Sequence, residues 1–434
     1  MPSLLALLAC AEPDRRHASA LPLADTPSHL LMISIDTLRR DRLVRYGGET
    51  GMPWLEERLE ESFVLDEHHS CSNNTITSMT CVMFGRGAID LGWMPWVDGE
   101  QRPLGDAPYS LTERMADDGF LTGLVTTNLF LGEDWGLAQG QHLYSPMPSA
   151  LAEDVVDEGL AMLAQMDGAT RWFQQLHFFD PHQPYDMPGG YERADLPRVE
   201  IDILEHGSKL KGAWAELDAD EQDAYLLHIE AAYAAELAYL DAELERFFTE
   251  AEAAGYLDDT LVVFVSDHGE QFFERGVWGH GDRLHPEETA ALAAFWSPEL
   301  VEPGSWADDT THVDLMPTLA HVFELPRHEW VTGKLLGGRP AMHGVHFYNV
   351  YSMPQRVAVE QGEQRLHYGW DGEKLFFDQT DDPGEHEDVY DPDRGEVQRL
   401  WPHIETMADK AVEDLGLPTA EDLELARRRA ARLR

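Results

Sequence analysis

Positive charge is scarce in this sequence: its 434 residues carry 32 Lys+Arg against 80 Asp+Glu, a formal net charge of −48. A surface that acidic repels nucleic acid and anionic membrane, which argues against both as partners. The acids are spread along the whole chain, as adaptation to high salt or selection for solubility would also produce. An anionic substrate would meet a hostile field, so cations held locally must overcome it. Cysteine is nearly as sparse: Cys10, Cys71 and Cys81 are too few for a disulfide framework. A run of about 20 apolar residues, the length a spanning helix needs, is also missing.

The N-terminus offers two readings. Leu4-Leu5-Ala6-Leu7-Leu8-Ala9-Cys10 is similar to a bacterial lipoprotein cleavage site, although no Lys or Arg precedes it. That predicts an extracytoplasmic protein, in the periplasm or at the cell surface, with a lipid anchor on Cys10. The bland alternative is a mis-assigned start or a frayed end. Residues 11–27 read as a linker under either reading.

What the chain does contain is ordinary globular material, 43% hydrophobic. His29–Ile35 is apolar at nearly every position, the pattern of a parallel strand buried on both faces, and residues 260–265 repeat it. Leu121–Thr126 and residues 172–179 read as further strands. Residues 225–254 place Leu226, Ile229, Tyr233, Leu237, Leu240, Leu244 and Phe247 at helical spacing, with Gly255 to stop the helix. The alternation predicts an α/β fold, a mostly parallel sheet sandwiched by helices. Past Pro326 the texture changes to short β-rich runs, 356–360, 365–370 and 374–378, divided by turns such as Asp371-Gly372. They predict a small C-terminal antiparallel sheet, followed by a polar helical tail. The expected organisation is thus a leader and linker over 1–27, a catalytic domain over 28–325 and a C-terminal subdomain over 326–434.

Two of the buried strands end in acids: Ile33-Ser34-Ile35-Asp36 and Phe264-Val265-Ser266-Asp267-His268. In open α/β sheets ligands bind beyond the carboxyl ends of the strands. Asp, Asp and a neutral His suit a divalent cation. A single strand-end acid is often only a helix cap. Two, with an adjoining His, are harder to dismiss.

From about residue 28 to about 400 the chain resembles the sulfatase-like family of the alkaline-phosphatase superfamily. The resemblance rests on Ser34-Ile35-Asp36-Thr37-Leu38-Arg39-Arg40-Asp41, on Thr75-Ile76-Thr77-Ser78-Met79-Thr80-Cys81-Val82-Met83-Phe84-Gly85-Arg86 and on Phe179-Asp180-Pro181-His182-Gln183-Pro184-Tyr185. It continues through Ser266-Asp267-His268-Gly269-Glu270, Thr311-His312-Val313-Asp314-Leu315-Met316-Pro317-Thr318-Leu319 and Asp381-Asp382-Pro383-Gly384-Glu385. It implies an alkaline-phosphatase-like fold, a strand-end metal site and a nucleophile bound to that metal. Asp36, Thr75, Asp267 and His268 form the implied metal set, for one ion of Zn, Mn or Ca. Asp180 and His312 are candidates for completing a second.

The departures bear on chemistry. Thr75 stands where a sulfatase carries the Cys that becomes formylglycine, and Met79 replaces its supporting Arg. Neither Cys71 nor Cys81 has an Arg four residues later. Thr37 replaces a second metal-binding Asp, His268 stands where Asn is frequent, and His280 and Thr127 stand where sulfate-binding Lys residues would be. A plain threonine lacks the second hydroxyl with which hydrated formylglycine expels sulfate. It can attack phosphorus when a metal lowers its pKa.

The sequence therefore predicts a metal-dependent hydrolase of phosphate or sulfate esters, phosphate favoured, acting on a small-molecule, glycan or lipid ester. Thr75 is the expected nucleophile. His182 and His280 are the expected contacts to the transferred or leaving group, with general acid catalysis open to either. Arg86 is a candidate substrate contact, or else a pin for the nucleophile helix. His177 reads as packing within the sheet, within reach of the site, while His68, His69 and His142 read as surface residues. Two other classes remain: a transferase passing the phosphoryl group to a sugar or lipid hydroxyl, and a binding protein on a decayed hydrolase fold.

Overall fold

His29–Ile35 (β1) is buried along almost its whole length because both faces of the sheet are covered. Leu30 and Met32 pack into one apolar cluster, and Leu31, Ile33 and Ile35 into another. This computed structural model describes residues 21–49, 51–97, 100–105, 108–326, 331–336, 345–349 and 355–419. Cys10 and the arginine-rich end at 427–434 lie outside them.

The strands of the main sheet are β1, Phe63–Leu65 (β2), Leu121–Thr126 (β3), Leu143–Pro146 (β4), Trp172–Phe178 (β5), Thr260–Ser266 (β6), Ala293–Trp296 (β7) and Gly304–Trp306 (β8). They form an eight-stranded sheet in the order β8-β2-β7-β6-β1-β5-β3-β4. β1 pairs in parallel with both β5 and β6, β3 in parallel with β4 and β5, and β8 in parallel with β2. β7 runs against both its neighbours.

The helices are Pro53–Glu60 (α1), Thr75–Phe84 (α2), Leu111–Asp117 (α3), Ala152–Met166 (α4), Ile203–Ala213 (α5), Ala219–Ala253 (α6), Pro286–Thr289 (α7), His312–Val322 (α8) and Gly395–Leu415 (α9). Residues of α2, α3 and α8 pack against one face of the sheet, those of α1, α4 and α6 against the other. α6 begins six residues before the periodicity predicts, because Asp218 and Glu221 form a capping box there.

Val345–Asn349 (β9), Arg356–Glu360 (β10), Gln364–Gly369 (β11) and Lys374–Asp378 (β12) form the small antiparallel sheet, in sequence order. Val397, Leu400 and Ile404 of α9 share one core with Val357, Val359 and Leu366 of this sheet. Among the described residues no helix is long and apolar enough to cross a membrane.

One bond was not anticipated, and one expectation is corrected. One disulfide is present, joining Cys71 to Cys81 across a separation of 10 residues. Cys71 lies just before α2 and Cys81 two turns into it, so the bridge ties the approach to the helix that follows. His68 and His69 are not surface residues, being 0% and 4% exposed. They pair with Thr310 and Thr311 in a short parallel ladder and lie beneath the chain at Ala290–Ala291, whose Ala291 N–H bonds the His68 carbonyl.

Candidate active site

Strand register sets the site. Ile35 of β1 faces Phe178 of β5 on one side and Ser266 of β6 on the other, so Asp36 and Asp267 emerge side by side one residue later. Thr126 of β3 faces His177, bringing Asn128 to the same edge. α2 begins there as well. Its N-cap Asn74 accepts from Thr77 N–H, and Thr75, the first helical residue, is 3% exposed.

Thr75 Oγ1 stands 3.3 Å from Asp36 Oδ2, 3.4 Å from His268 Nε2 and 3.2 Å from Asn128 Nδ2. His268 Nε2 is 3.5 Å from Asp267 Oδ2, and His177 Nε2 is 3.4 Å from Asp36 Oδ2. Apart from the Asn128 contact, these separations of 3.3–3.5 Å are long for hydrogen bonds to oxygen. They match atoms sharing one ion, since ligands at about 2.0–2.2 Å from a metal stand roughly 3.0–3.5 Å apart.

Electrostatics agree with that fit. Asp36 Oδ1, Asp267 Oδ2 and His177 Nε2 are buried and lack a hydrogen-bond partner. Burial would push Asp36 up, but the imidazoles of His182, His177 and His268 hold its carboxyl below the usual range. Asp267 goes the other way, raised first by burial and then by the Asp36 charge. Two adjacent buried carboxylates without a cation repel, and a divalent ion removes the conflict. Burial lowers the His268 pKa, keeping the ring neutral. Its Nδ1–H donates to the Gly269 carbonyl at 2.8 Å, so the Nε2 lone pair faces the cluster. The donor set, two carboxylates, neutral imidazole and a hydroxyl, therefore fits a divalent ion.

Local backbone is strained to build this. Thr37, β-branched, sits at φ 52. Its N–H donates to Asp267 Oδ1 at 3.0 Å, and its carbonyl accepts from Tyr233 OH at 2.9 Å. The turn thereby orients the second carboxylate.

His182, His280 and His268 form a chain of rings leading inward. His182 and His280 centroids are 5.0 Å apart, and His280 and His268 4.5 Å. His182 stacks on Phe179 at 4.2 Å. His280 Nδ1 lies 3.8 Å from Glu270 Oε2, whose other oxygen accepts from Tyr185 OH at 2.9 Å.

The other candidates lie elsewhere. Arg86 donates to the Asp90 carbonyl beyond the far end of α2, about 15 Å along the helix from Thr75 at 1.5 Å per residue. Asp180 turns toward Glu236 of α6, where burial raises both carboxyls. His312 spends both nitrogens, on Ser266 O at 3.0 Å and Ser78 Oγ at 3.2 Å. Met79 is packed in the apolar core, and Thr127 Oγ1 bonds the His177 carbonyl at 3.3 Å. Arg39 is turned to Asp41 and Glu274.

Sequence reasoning missed Asn128 and undervalued His177. Asn128 Nδ2 donates to Asp36 Oδ2 at 2.8 Å as well as to Thr75. Asn128 follows the carboxyl end of β3, so the rule that singled out Asp36 and Asp267 would have reached it, whereas His177 lies within β5.

The family model described as Sulfatase matches residues 28–325. The chain belongs to the sulfatase family. It is 25% identical to an arylsulfatase of Clostridium perfringens over 293 residues, 59% of this chain and 56% of that protein. A choline-sulfatase of Rhizobium meliloti is 26% identical over 252 residues, covering 52% and 48%. The chain thus spans about half the length of these curated relatives. Among solved structures, a phosphonate monoester hydrolase from Silicibacter pomeroyi superposes with TM-score 0.68 at 19% identity, over 89% of this chain and 96% of that one. That likeness shows the fold, α/β with a mostly parallel sheet between helices.

Proposed function

We propose that this sulfatase-family chain is a metal-dependent ester hydrolase with Thr75 as nucleophile, acting on phosphate esters in preference to sulfate esters. The observation that supports it most is the position of Thr75 Oγ1 at a helix N-terminus, within 3.2–3.4 Å of Asn128, Asp36 and His268. Asp36, Asp267 and His268 would hold the ion, with His177 close enough to join them. A bound divalent ion such as Zn, Mn or Ca supplies the charge that lowers the Thr75 hydroxyl pKa and offsets the carboxylates.

The chain's own residues do the rest. Asn128 Nδ2 already donates to Thr75 Oγ1 and can keep donating as that oxygen loses its proton. As Oγ1 gives its proton to solvent it attacks phosphorus, the phosphorus–ester oxygen bond breaks, and that oxygen departs as the alcohol after taking a proton. Water then attacks phosphorus, breaking the bond to Oγ1 and returning a proton to Thr75. His182 and His280, on the outer side of His268, are placed to contact the leaving group. Arg86 has no part in this reading.

Phosphate is favoured because Thr75 carries a single hydroxyl and cannot expel sulfate as a hydrated aldehyde does. Charge narrows the substrate further. Two carboxylates and one divalent ion sum to zero, and no Lys or Arg among the described residues hydrogen-bonds to Asp36, Thr75, Asp267 or His268. Such a site suits a singly charged ester, such as a phosphodiester, better than a dianionic monoester. The test is to quench turnover in acid and map the adduct by mass spectrometry. A phosphoryl group on the Thr75 peptide, absent from Thr75→Ala, is expected. Undiminished turnover by Thr75→Ala would overturn the reading.

A further inference from the structure

Glu288, in the short helix α7, lies outside the site and is 0% exposed, yet it bonds three of the segments that build it. Its Oε2 accepts from Asn73 Nδ2 at 2.8 Å and from Gly281 N–H at 3.0 Å. Its Oε1 accepts from Gln271 Nε2, and its backbone carbonyl accepts from Gly269 N–H at 3.0 Å. Asn73 stands two residues before Thr75, Gly281 follows His280, and Gly269 follows His268. One side chain and its own carbonyl thus span the nucleophile loop, the outer histidine and the metal-side loop.

α7 is gripped in turn by the small sheet. Arg365 Nη1 donates to the Leu284 carbonyl at 2.9 Å and to Thr289 Oγ1 at 3.0 Å, bracketing the helix. His285, its N-cap, bonds Glu385 at 2.6 Å. The Glu385 oxygens are shared among Arg365 at 3.2 Å, Gln379 at 2.8 Å, His285 and His367 at 3.3 Å. That ring of nitrogens around one buried carboxylate makes an ionic lock, with a guanidinium where a metal ion would be repelled.

We propose that Glu288 is a positioning residue for the transfer step, a hydrogen-bond hub that sets the spacing between Thr75 and His280 and is itself held by Arg365 from the small sheet. This rests on the hydrolase reading above. The role needs acceptor oxygens toward Asn73 and Gly281, not a negative charge. Gln271 Oε1 is buried without a partner, so a flipped Gln271 amide can accept from a glutamine at 288. The Glu288→Gln variant therefore keeps the two bonds that matter, whereas Glu288→Ala removes them.

The experiment compares wild type, Glu288→Gln, Glu288→Ala and Arg365→Met by steady-state kinetics on a phosphodiester, by bound-metal content and by amide hydrogen exchange. For Glu288→Ala, kcat should fall on the order of 100-fold with KM within about threefold and metal content unchanged, because misplacement without loss of ligands costs the transition state. Exchange should rise together in 72–74 and 279–282. Glu288→Gln should stay within about threefold of wild type in kcat, and Arg365→Met should fall between the two. Wild-type kcat in Glu288→Ala, or equal damage from Gln and Ala, would overturn the proposal. Should wild type hydrolyse no ester, the hydrolase reading fails, and the exchange comparison still decides whether Glu288 couples the loops.

Discussion

Asp36 and Asp267 stand next to each other because Ile35 and Ser266, the residues before them, are paired across adjoining parallel strands. Neither carboxylate can turn away, since both are 0% exposed. Metal binding should therefore stabilise the fold as well as enable turnover. At a free concentration of about 100 times Kd the gain is about 2.7 kcal/mol. Calorimetry with and without a chelator should show the melting temperature fall on metal removal. Asp267→Asn should lose that response. An unchanged transition in both would remove the metal site.

Asn128 is a second point of test. Its amide bonds both Asp36 and Thr75 in a site where donors aimed at a developing charge count for several kcal/mol. Asn128→Ala should lower kcat by roughly 100-fold while moving KM little. A change confined to KM would mean that the amide only helps to bind substrate.

The fold was legible in the sequence where burial dictates pattern. β1 and β6 are covered on both faces, so continuous apolar runs announced them, and β3 coincides with its expected bounds, Leu121–Thr126. Asp36 and Asp267 stood out because each follows a doubly buried strand, with His268 adjoining, while Thr75 came into view only through the family resemblance. His177 was harder to read: it lies inside β5, and only its register with Ser34 and Thr126 brings it beside Asp36. His68 and His69 look polar and loop-like in sequence, and their burial comes from strand pairing with Thr310–Thr311 that no local pattern encodes. Asp180 sits in a family-like motif, yet the tertiary contact with Glu236 takes its side chain away.

That Asp180–Glu236 pair gives a pH dependence. Burial raises both carboxyls, Glu236 to about 8, so the folded state retains a proton that the unfolded state releases. A carboxyl with a raised folded pKa favours the fold at low pH, and the benefit is lost as pH rises from about 4.5 through about 8. Stability should thus decline as pH rises across neutrality toward pH 8. Glu236→Gln, a mimic of the protonated form, should flatten the decline. An identical profile in the variant would assign the pH dependence to other groups.

The Cys71–Cys81 bridge encloses Thr75 within its loop. Cys71→Ser should cost about 2–3 kcal/mol in denaturant unfolding, the range for a loop of this size. Thiol titration of unfolded wild type should find both cysteines blocked until reductant is added. Free thiols in the purified protein would contradict the pairing.

The most direct measurement is kcat/KM for a methyl aryl phosphate diester and the matching aryl sulfate, with mass spectrometry showing Thr75 unmodified. Both substrates carry one negative charge and share a leaving group, so only the transferred centre differs. The diester should turn over at least about 100-fold faster, and Thr75→Ala should lose several orders of magnitude on it. Faster cleavage of the sulfate by unmodified Thr75 would contradict the central claim.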